Sequence, residues 1–419
     1  MKIKRLIAGC ARFLAVFTLS LLSVLPAWSG SIYRVVHAFG SGNDGGGLWS
    51  SVTLDKQGNL YGSTSGGGLY AYGVVFKLTR HQKGTWTETI LHNFKNGDPD
   101  GSEPNGGLIQ DALGNWYGTT DRDGAYHGGT AFQVTHGADG WTDNVIYPFG
   151  EQSDDGGSPT AGLIMDTAGN LFGTTPKGNG SNGGTTFQLT RSSGGWNETV
   201  IYQFCLSNPT CVDGNAPYAG LILDPAGNLY GTTEWGGTGC VAEGCGTVYE
   251  IQRSSGGWKQ IVLHRFDNNG RDGVTPGNGA LLMDSAGRIY GTTEVGGTFG
   301  WGTLFRLTRV ADGSWKETIL RNFKNDASGS FPASGVVMDK AGNLYGTTTS
   351  GGTQCGCGVV YKLAPGPKGK WTYTVLHTFS GGDGAQPDAN LILDDKGSLY
   401  GTTATGGTYG GGVVFEITP

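Results

Sequence analysis

The 419-residue sequence predicts an all-β fold: a seven-bladed β-propeller of four-stranded antiparallel blades, closed by an N-terminal strand that completes the last blade. Near-identical copies of Leu-Tyr-Gly-Thr-Thr end at Thr64, Thr120, Thr175, Thr233, Thr293, Thr348 and Thr403. Their central aromatics, Tyr61, Tyr117, Phe172, Tyr230, Tyr290, Tyr345 and Tyr400, recur after 56, 55, 58, 60, 55 and 55 residues, a period that suits propeller blades and exceeds that of helical solenoids. Every repeat also divides into four short runs of β-branched and aromatic residues bounded by Gly, Pro, Asp or Asn, none of them spaced or long enough for a helix.

Taken in order, run A is a small apolar stretch ending in Asp, as in Gly-Leu-Ile-Leu-Asp at 220–224, and reads as an inner strand buried on both faces. Run B is the Leu-Tyr-Gly-Thr-Thr segment. Asp-x-x-Gly-Asn joins A to B (Asp55 to Asn59, Asp166 to Asn170, Asp339 to Asn343), with Gly supplying the positive φ of a tight hairpin. Run C is Gly-Val-Val-Phe-Lys-Leu-Thr at 73–79 and its echoes, alternating so as to bury one face. Run D opens on Trp and closes on Phe, from Trp86 to Phe94 through Trp371 to Phe379.

A seventh D run, Ser31 to Phe39, stands ahead of the first repeat, and the last C run occupies 412–418, so the two ends complete one blade. A propeller needs this interlock because an open ring leaves strand edges and apolar blade faces in water. Burying the four larger apolar side chains of residues 31–39 at ~1.5–3 kcal/mol each gives a gross term on the order of 5–10 kcal/mol, comparable to a whole domain's net stability.

Residues 1–29 read as a secretory signal peptide: Lys2, Lys4 and Arg5, an apolar stretch through Phe13 to Leu25, then Ala27-Trp28-Ser29 before Gly30. Ile7-Ala8-Gly9-Cys10 resembles a lipoprotein box but precedes the apolar stretch that such a box would end. The expected mature chain, 30–419, is then a single propeller, secreted or periplasmic and without a membrane span. Removing four basic residues of the leader from 28 leaves 24 against 34 acidic, so the mature charge is 24 − 34 = −10. No basic stripe is present to bind phosphates, which argues against a nucleic-acid partner. No cofactor signature appears, and a monomer is expected.

Beyond Cys10 the cysteines fall in close pairs, Cys205 with Cys211, Cys240 with Cys245 and Cys355 with Cys357. Short local disulfides suit an oxidising compartment, with the bond across Cys355 and Cys357 the most strained of the three. A metal site is the competing reading, but the pairs belong to different blades and lack histidine companions. His37, His92, His264 and His377 share one repeated D-run position with Tyr147, Tyr202 and Arg321, and so read as positional rather than as ligands.

Strand parity puts the B–C and D–A loops on one face and the A–B and C–D turns on the other. The D–A loops carry a repeated Asp-Gly-x-x-Pro beginning at Asp100, Asp155, Asp213, Asp272 and Asp383; Asp44-Gly45 leads to Leu48 in the first blade, and Ser328-Gly329 replaces Asp-Gly in the sixth. These six carboxylates either ring the channel mouth as a cation or polar-ligand site or serve as Asx turns ahead of Gly. The B–C loops present Tyr70, Tyr72, Tyr126, Trp235, Phe299, Trp301 and Tyr409 beside Asp121, Asp123, Glu234 and Glu294. Aromatic faces beside carboxylates suit sugar binding, the alternative being rings packed between blades and acids left solvated. Trp235, Trp301, Tyr126 and Tyr409, with the six loop aspartates, are the binding candidates. Glu234 and Glu294, matched in adjacent blades, also have the makings of a general acid and base.

Tandem Asp-x-x-Gly-Asn-Leu-Tyr-Gly-Thr-Thr, Gly-Gly, Gly-Val-Val-Phe-x-Leu-Thr and the Trp-to-Phe strand together resemble the GloVer-type bacterial tandem repeat across residues 31–419. The resemblance implies a bacterial, exported protein and brings no catalytic residue with it. A slighter similarity to kelch-like propellers rests on Gly-Gly, an aromatic strand and then Trp. Two classes of function are therefore expected of the variable face. One is a non-enzymatic extracellular module binding a glycan or protein; the other is a carbohydrate-active hydrolase or lyase. The absence of a nucleophile–base motif or metal-ligand cluster in the sequence favours the first.

Overall fold

The computed structural model describes residues 30–419 except 98, 153, 179–182, 207–209, 241–243, 277–278 and 354, so the expected signal peptide lies outside the described residues. Each blade starts from its A–B turn. Asp55 accepts the Gln57 and Asn59 amide N–H groups on one oxygen and the Asn59 side-chain amide on the other, while Gly58 takes φ 83°. The same bonds recur at Asp111, Asp166 and Asp339, which is why Asp, Gly and Asn hold those places in the repeat.

Strands A to D of the first blade are Thr53–Leu54, Leu60–Thr64, Val74–Arg80 and Trp86–Asn93. They hydrogen-bond as neighbours in the order A-B-C-D, all antiparallel, and six further four-stranded sheets repeat the plan. In the seventh blade strand D is Ile32–Ala38, paired with Val413–Thr418, so the predicted interlock is formed. A bulge interrupts every C–D pair one residue before the D-strand histidine position, between Val75 and Phe76 in the first blade. The unpaired residue it creates there, Leu91, is buried, so the bulge turns an apolar side chain of the outer strand inward.

The core lies between blades. Seven apolar clusters each mix residues of two neighbouring blades, as where Phe39, Tyr400 and Val414 of the seventh blade meet Leu60, Val74 and Phe76 of the first. Strand B explains its own repetition. Its Gly lies directly across from the aromatic of strand C, and a Cβ on Gly62 would stand 2.7 Å from the Phe76 ring, so only glycine lets that ring lie down. The first Thr reaches the next blade, Thr119 donating to the Ala161 carbonyl at 2.9 Å and Thr402 to that of Ser50 at 3.0 Å. The second Thr meets strand C, as in the 2.9 Å Thr120–Thr130 hydroxyl pair.

Short bridges zip the D–A loop to the B–C loop of the same blade, among them Ser102 to Arg122, Asn215 to Trp235 and Ala385 to Thr405, so both loops share a face as parity required. On that face Cys205 is disulfide-bonded to Cys211, Cys240 to Cys245 and Cys355 to Cys357, each bond formed within a single loop. The oxidised pairing expected of the sequence is therefore formed at all three places, and a cysteine metal site is not, because a sulfur held in a disulfide is no thiolate ligand. The separation of two residues between Cys355 and Cys357 is accommodated by a chain that spreads their Cα atoms to 5.1 Å, within the span a disulfide bridges. Among the described residues no helix is long and apolar enough to cross a membrane.

Candidate functional site

The six residues that precede the D–A proline, Glu103, Ser158, Ala216, Thr275, Phe331 and Gln386, all hold φ between 52° and 60°. A side chain there costs of order 1–3 kcal/mol of backbone strain unless its surroundings fix it. Hydrogen bonds on both sides do so. The Glu103 amide donates to the Tyr72 carbonyl of the preceding blade, and the Glu103 carbonyl accepts from the Asp121 amide of its own blade, at 3.2 and 3.1 Å. This left-handed residue joins two blades and turns the chain from the loop face down into strand A.

The residue after the proline then falls on the axis. There the structure holds a cavity of about 500 Å³, walled by Trp49, Asn105, Thr160, Tyr218 and Asp388 and by the strand-A entries of several blades. In its wall neighbouring strand-A entries approach so closely that a Cβ on Gly162 would lie 2.9 Å from the Gly107 carbonyl oxygen, and one on Gly106 2.7 Å from that of Ala161. The cavity is a cup whose wall is in part the glycine backbone of the strand-A entries.

Polar atoms in the cup are left unpaired. Asn105 Oδ1, Thr160 Oγ1 and Asp388 Oδ1 are buried and accept nothing from the protein, although all three occupy the same place after the proline. Buried oxygens of this kind are costly unless something donates to them. The acids around the cup are held toward the neutral form. Glu234 is pushed up to about 7 by burial and then by Glu294, and Asp388 to about 6 by burial and then by Glu294. Burial raises Glu294 as well, and the Tyr218 hydroxyl rises through burial and the charges of Glu234 and Asp121. The amides of Glu234 and Glu294 bond the carbonyls of Ala216 and Thr275, so both acids flank the left-handed residues at the rim. Arg122 brings a cation there, 3.3 Å from Glu103 and 3.7 Å from Asp121. Trp49, 45% exposed, offers an open aromatic face.

The sequence-predicted residues lie elsewhere. The six loop aspartates do not ring the channel; each turns back to the outermost strand and caps the first amides after its Phe. Asp44 accepts from Gly40, Asp100 from Lys95, Asp155 from Gly150, Asp213 from Cys205, Asp272 from Asp267 and Asp383 from Ser380, at 2.8–3.1 Å. The reason is local: a chain leaving an edge strand has amides to satisfy, and a carboxylate three to eight residues further on reaches back to satisfy them. Their second partner is the D-strand side chain, His92 for Asp100, Tyr147 for Asp155, Tyr202 for Asp213 and His377 for Asp383.

Tyr126 and Tyr409, 44% and 58% exposed, share one loop position with Tyr70 and Phe299, at the outer rim rather than the cup. Tyr126 donates to Glu151 at 2.9 Å, and the Lys324 ammonium sits 4.3 Å from the Phe299 ring centre. Trp301 packs edge-on against Phe331 of the next blade with centroids 4.9 Å apart, and half-buried Trp235 pairs its backbone with Asn215. Glu234 and Glu294 are brought close enough to act on each other. Trp49, Glu103, Asn105, Thr160, Tyr218 and Asp388 were missed. Their signal was the variability of the positions flanking the repeated proline, whose place Leu48 takes beside Trp49.

Fold and cup together define a closed propeller with a recessed polar site on its variable face. The chain belongs to the Gloeobacter/Verrucomicrobia repeat family, whose profile matches residues 25–242 and 217–419. No curated protein matches it. An ancestral GH74 enzyme is similar in fold at 11% identity, with a TM-score of 0.54 over 88% of this chain and 48% of that one. A candidate 6-phosphogluconolactonase of Bacteroides uniformis gives 12% identity and a TM-score of 0.51 over 82% of this chain and 88% of its own. PorZ, a surface component of the type-IX secretion system of Porphyromonas gingivalis, gives 16% and 0.50 over 91% of this chain and 47% of its own.

Proposed function

We propose that this protein is an exported, non-enzymatic binding module that takes a hydroxyl-rich, glycan-type ligand in the cup at its channel mouth. The supporting observation is the set of three unpaired acceptors, Asn105 Oδ1, Thr160 Oγ1 and Asp388 Oδ1, on one cavity with the open face of Trp49. A sugar supplies hydroxyl donors to the first and an apolar ring face to the second, a pairing few other soluble ligands offer. The test is binding on an oligosaccharide panel by calorimetry, with product analysis on the same mixtures. Trp49→Ala and Asp388→Asn should each weaken binding by about 1–3 kcal/mol with folding intact and no product released. Full affinity in both variants would place the ligand outside the cup.

A second reading, a glycoside hydrolase or lyase at the same rim, is favoured by one observation: Glu234, matched to Glu294, is held near neutrality, where a general acid must sit. Product release from the panel, abolished in Glu234→Gln, would establish it in place of the first.

A further inference from the structure

At three blade joints the D-strand histidine and its loop aspartate meet a carboxylate from strand D of the next blade: His37, Asp44 and Glu88; His92, Asp100 and Asp143; His264, Asp272 and Glu317. The three are not alike. His92 uses both ring nitrogens, Nε2 3.0 Å from Asp100 and Nδ1 3.1 Å from Asp143, so its ring bridges the two carboxylates by ordinary hydrogen bonds. In the other two a single nitrogen faces both acids. His37 Nε2 lies 3.5 Å from Asp44 and 3.7 Å from Glu88; His264 Nε2 lies 3.2 Å from Asp272 and 3.8 Å from Glu317.

Only the 3.2 Å His264–Asp272 contact is short enough for a hydrogen bond; the other three separations are too long for one, shared or not. They are close to the edge of a tetrahedron, about 3.4 Å when metal–ligand bonds are about 2.1 Å. His37 Nε2, Glu88 Oε1 and Glu317 Oε1 are buried without a hydrogen-bond partner. Among the described residues no lysine or arginine ion pair reaches Asp44, Glu88, Asp272 or Glu317, so at each joint two largely buried acids face one imidazole with no lysine or arginine to balance them.

We propose that His37–Asp44–Glu88 and His264–Asp272–Glu317 are two matched sites for a zinc-type divalent cation, each stapling the outer strand of one blade to that of the next. A nitrogen ligand beside two carboxylates selects a borderline ion of this class over calcium or magnesium, which take oxygen alone. The first site lies at the closing joint: His37 belongs to the N-terminal strand of the seventh blade and Glu88 to the first blade. Cation binding there works directly on ring closure.

The test uses the folded protein, stripped with chelator, loaded with zinc chloride near neutral pH and gel-filtered before metal counting by mass spectrometry. Two zinc ions per chain, one at each proposed site, should be retained and the thermal midpoint raised; the cysteines, held in disulfides, cannot supply thiolate ligands. His37→Gln and His264→Gln should each remove one equivalent, whereas His92→Gln should remove none. Glu88→Gln and Glu317→Gln, which keep side-chain shape, repeat the count should a histidine variant fold poorly. Cobalt titrated into the unmodified protein should give the visible bands of a four-coordinate nitrogen–oxygen site. Unmodified protein that keeps no zinc and shows no cobalt bands overturns the proposal, as does full zinc retention in the His37→Gln, His264→Gln double variant.

Discussion

At the scale of single residues, burial sets the charge of the loop face and gives stability a defined dependence on pH. Glu234 and Asp388, pushed up to about 7 and about 6, hold protons in the folded chain that their unfolded counterparts release near pH 4. The folded state therefore binds more protons across that interval, and stability falls as pH rises through it. His92 works in the same direction at higher pH. Burial pushes its imidazole down, but hydrogen bonds to Asp100 and Asp143 outweigh this and carry it up to about 9. A histidine raised in the fold stabilises fully below its unfolded value of about 6.5, and the gain is lost as pH climbs through 9. Urea midpoints should thus be highest near pH 5 and decline toward pH 9. Glu234→Gln should flatten the lower part of that decline. His92→Gln should flatten the upper part, worth on the order of 3 kcal/mol at neutral pH. A midpoint that rises from pH 5.5 to 9 would contradict both assignments.

At the scale of the strand and loop, repetition marks what a blade needs. Trp196 packs edge-on to Tyr117 of the neighbouring blade with centroids 5.8 Å apart, and Trp315 joins the cluster of Phe266 and Phe305. Trp196→Ala or Trp315→Ala should cost about 3 kcal/mol in chemical denaturation, while Tyr409→Ala at the open rim should stay within about 0.5 kcal/mol of the parent. Trp301→Ala is expected between them, near 1 kcal/mol, because its ring is spent on Phe331. Equal losses at all four positions would mean that the rim aromatics also hold blades together. The same contrast explains what could be read from the chain. Asp-x-x-Gly-Asn, the strand-B glycine and the threonine pair were legible because each serves a contact repeated in blade after blade. The disulfides were legible too, because Cys211, Cys245 and Cys357 each follow their partners within one loop, where proximity along the chain stands in for proximity in space. The cup was not. Most of its residues follow a proline with a left-handed neighbour, and neither six non-glycine residues with positive φ nor the direction of a carboxylate is written in side-chain periodicity. Asp100 and its equivalents stood out because they recur, and they recur because they cap amides. Asp388 and Trp49 sit among unlike residues at their position, which is what a site assembled once per molecule looks like.

For the molecule as a whole, seven equal interfaces hold only if the seventh closes, and that closure rests on one short segment. Ile32 is 69% exposed and Val35 36%, so half of the apolar payload expected of residues 31–39 faces water. The load falls on others: Tyr33 stacks on His377 at 3.7 Å, Phe39 meets Phe76 at 4.8 Å, and Val36 packs on the same cluster. Those three side chains still give a gross term of about 5–9 kcal/mol, to which the Arg34–Glu416 pair at 2.5 Å adds a contact where Glu416 also meets Arg80 of the first blade. Deleting 31–39 removes the partner of Val413–Thr418, leaves that strand as an exposed apolar edge, and strips one face from the joint between the seventh and first blades. The truncated protein should lose its cooperative thermal transition and aggregate. A synthetic peptide of residues 31–39 added in trans should restore the transition, because an open blade accepts a complementary strand. Arg34→Ala alone should lower the midpoint only slightly, since that side chain is 42% exposed. A truncated protein that melts cooperatively at the parent temperature would show that six interfaces suffice and that the N-terminal strand only decorates a ring already closed.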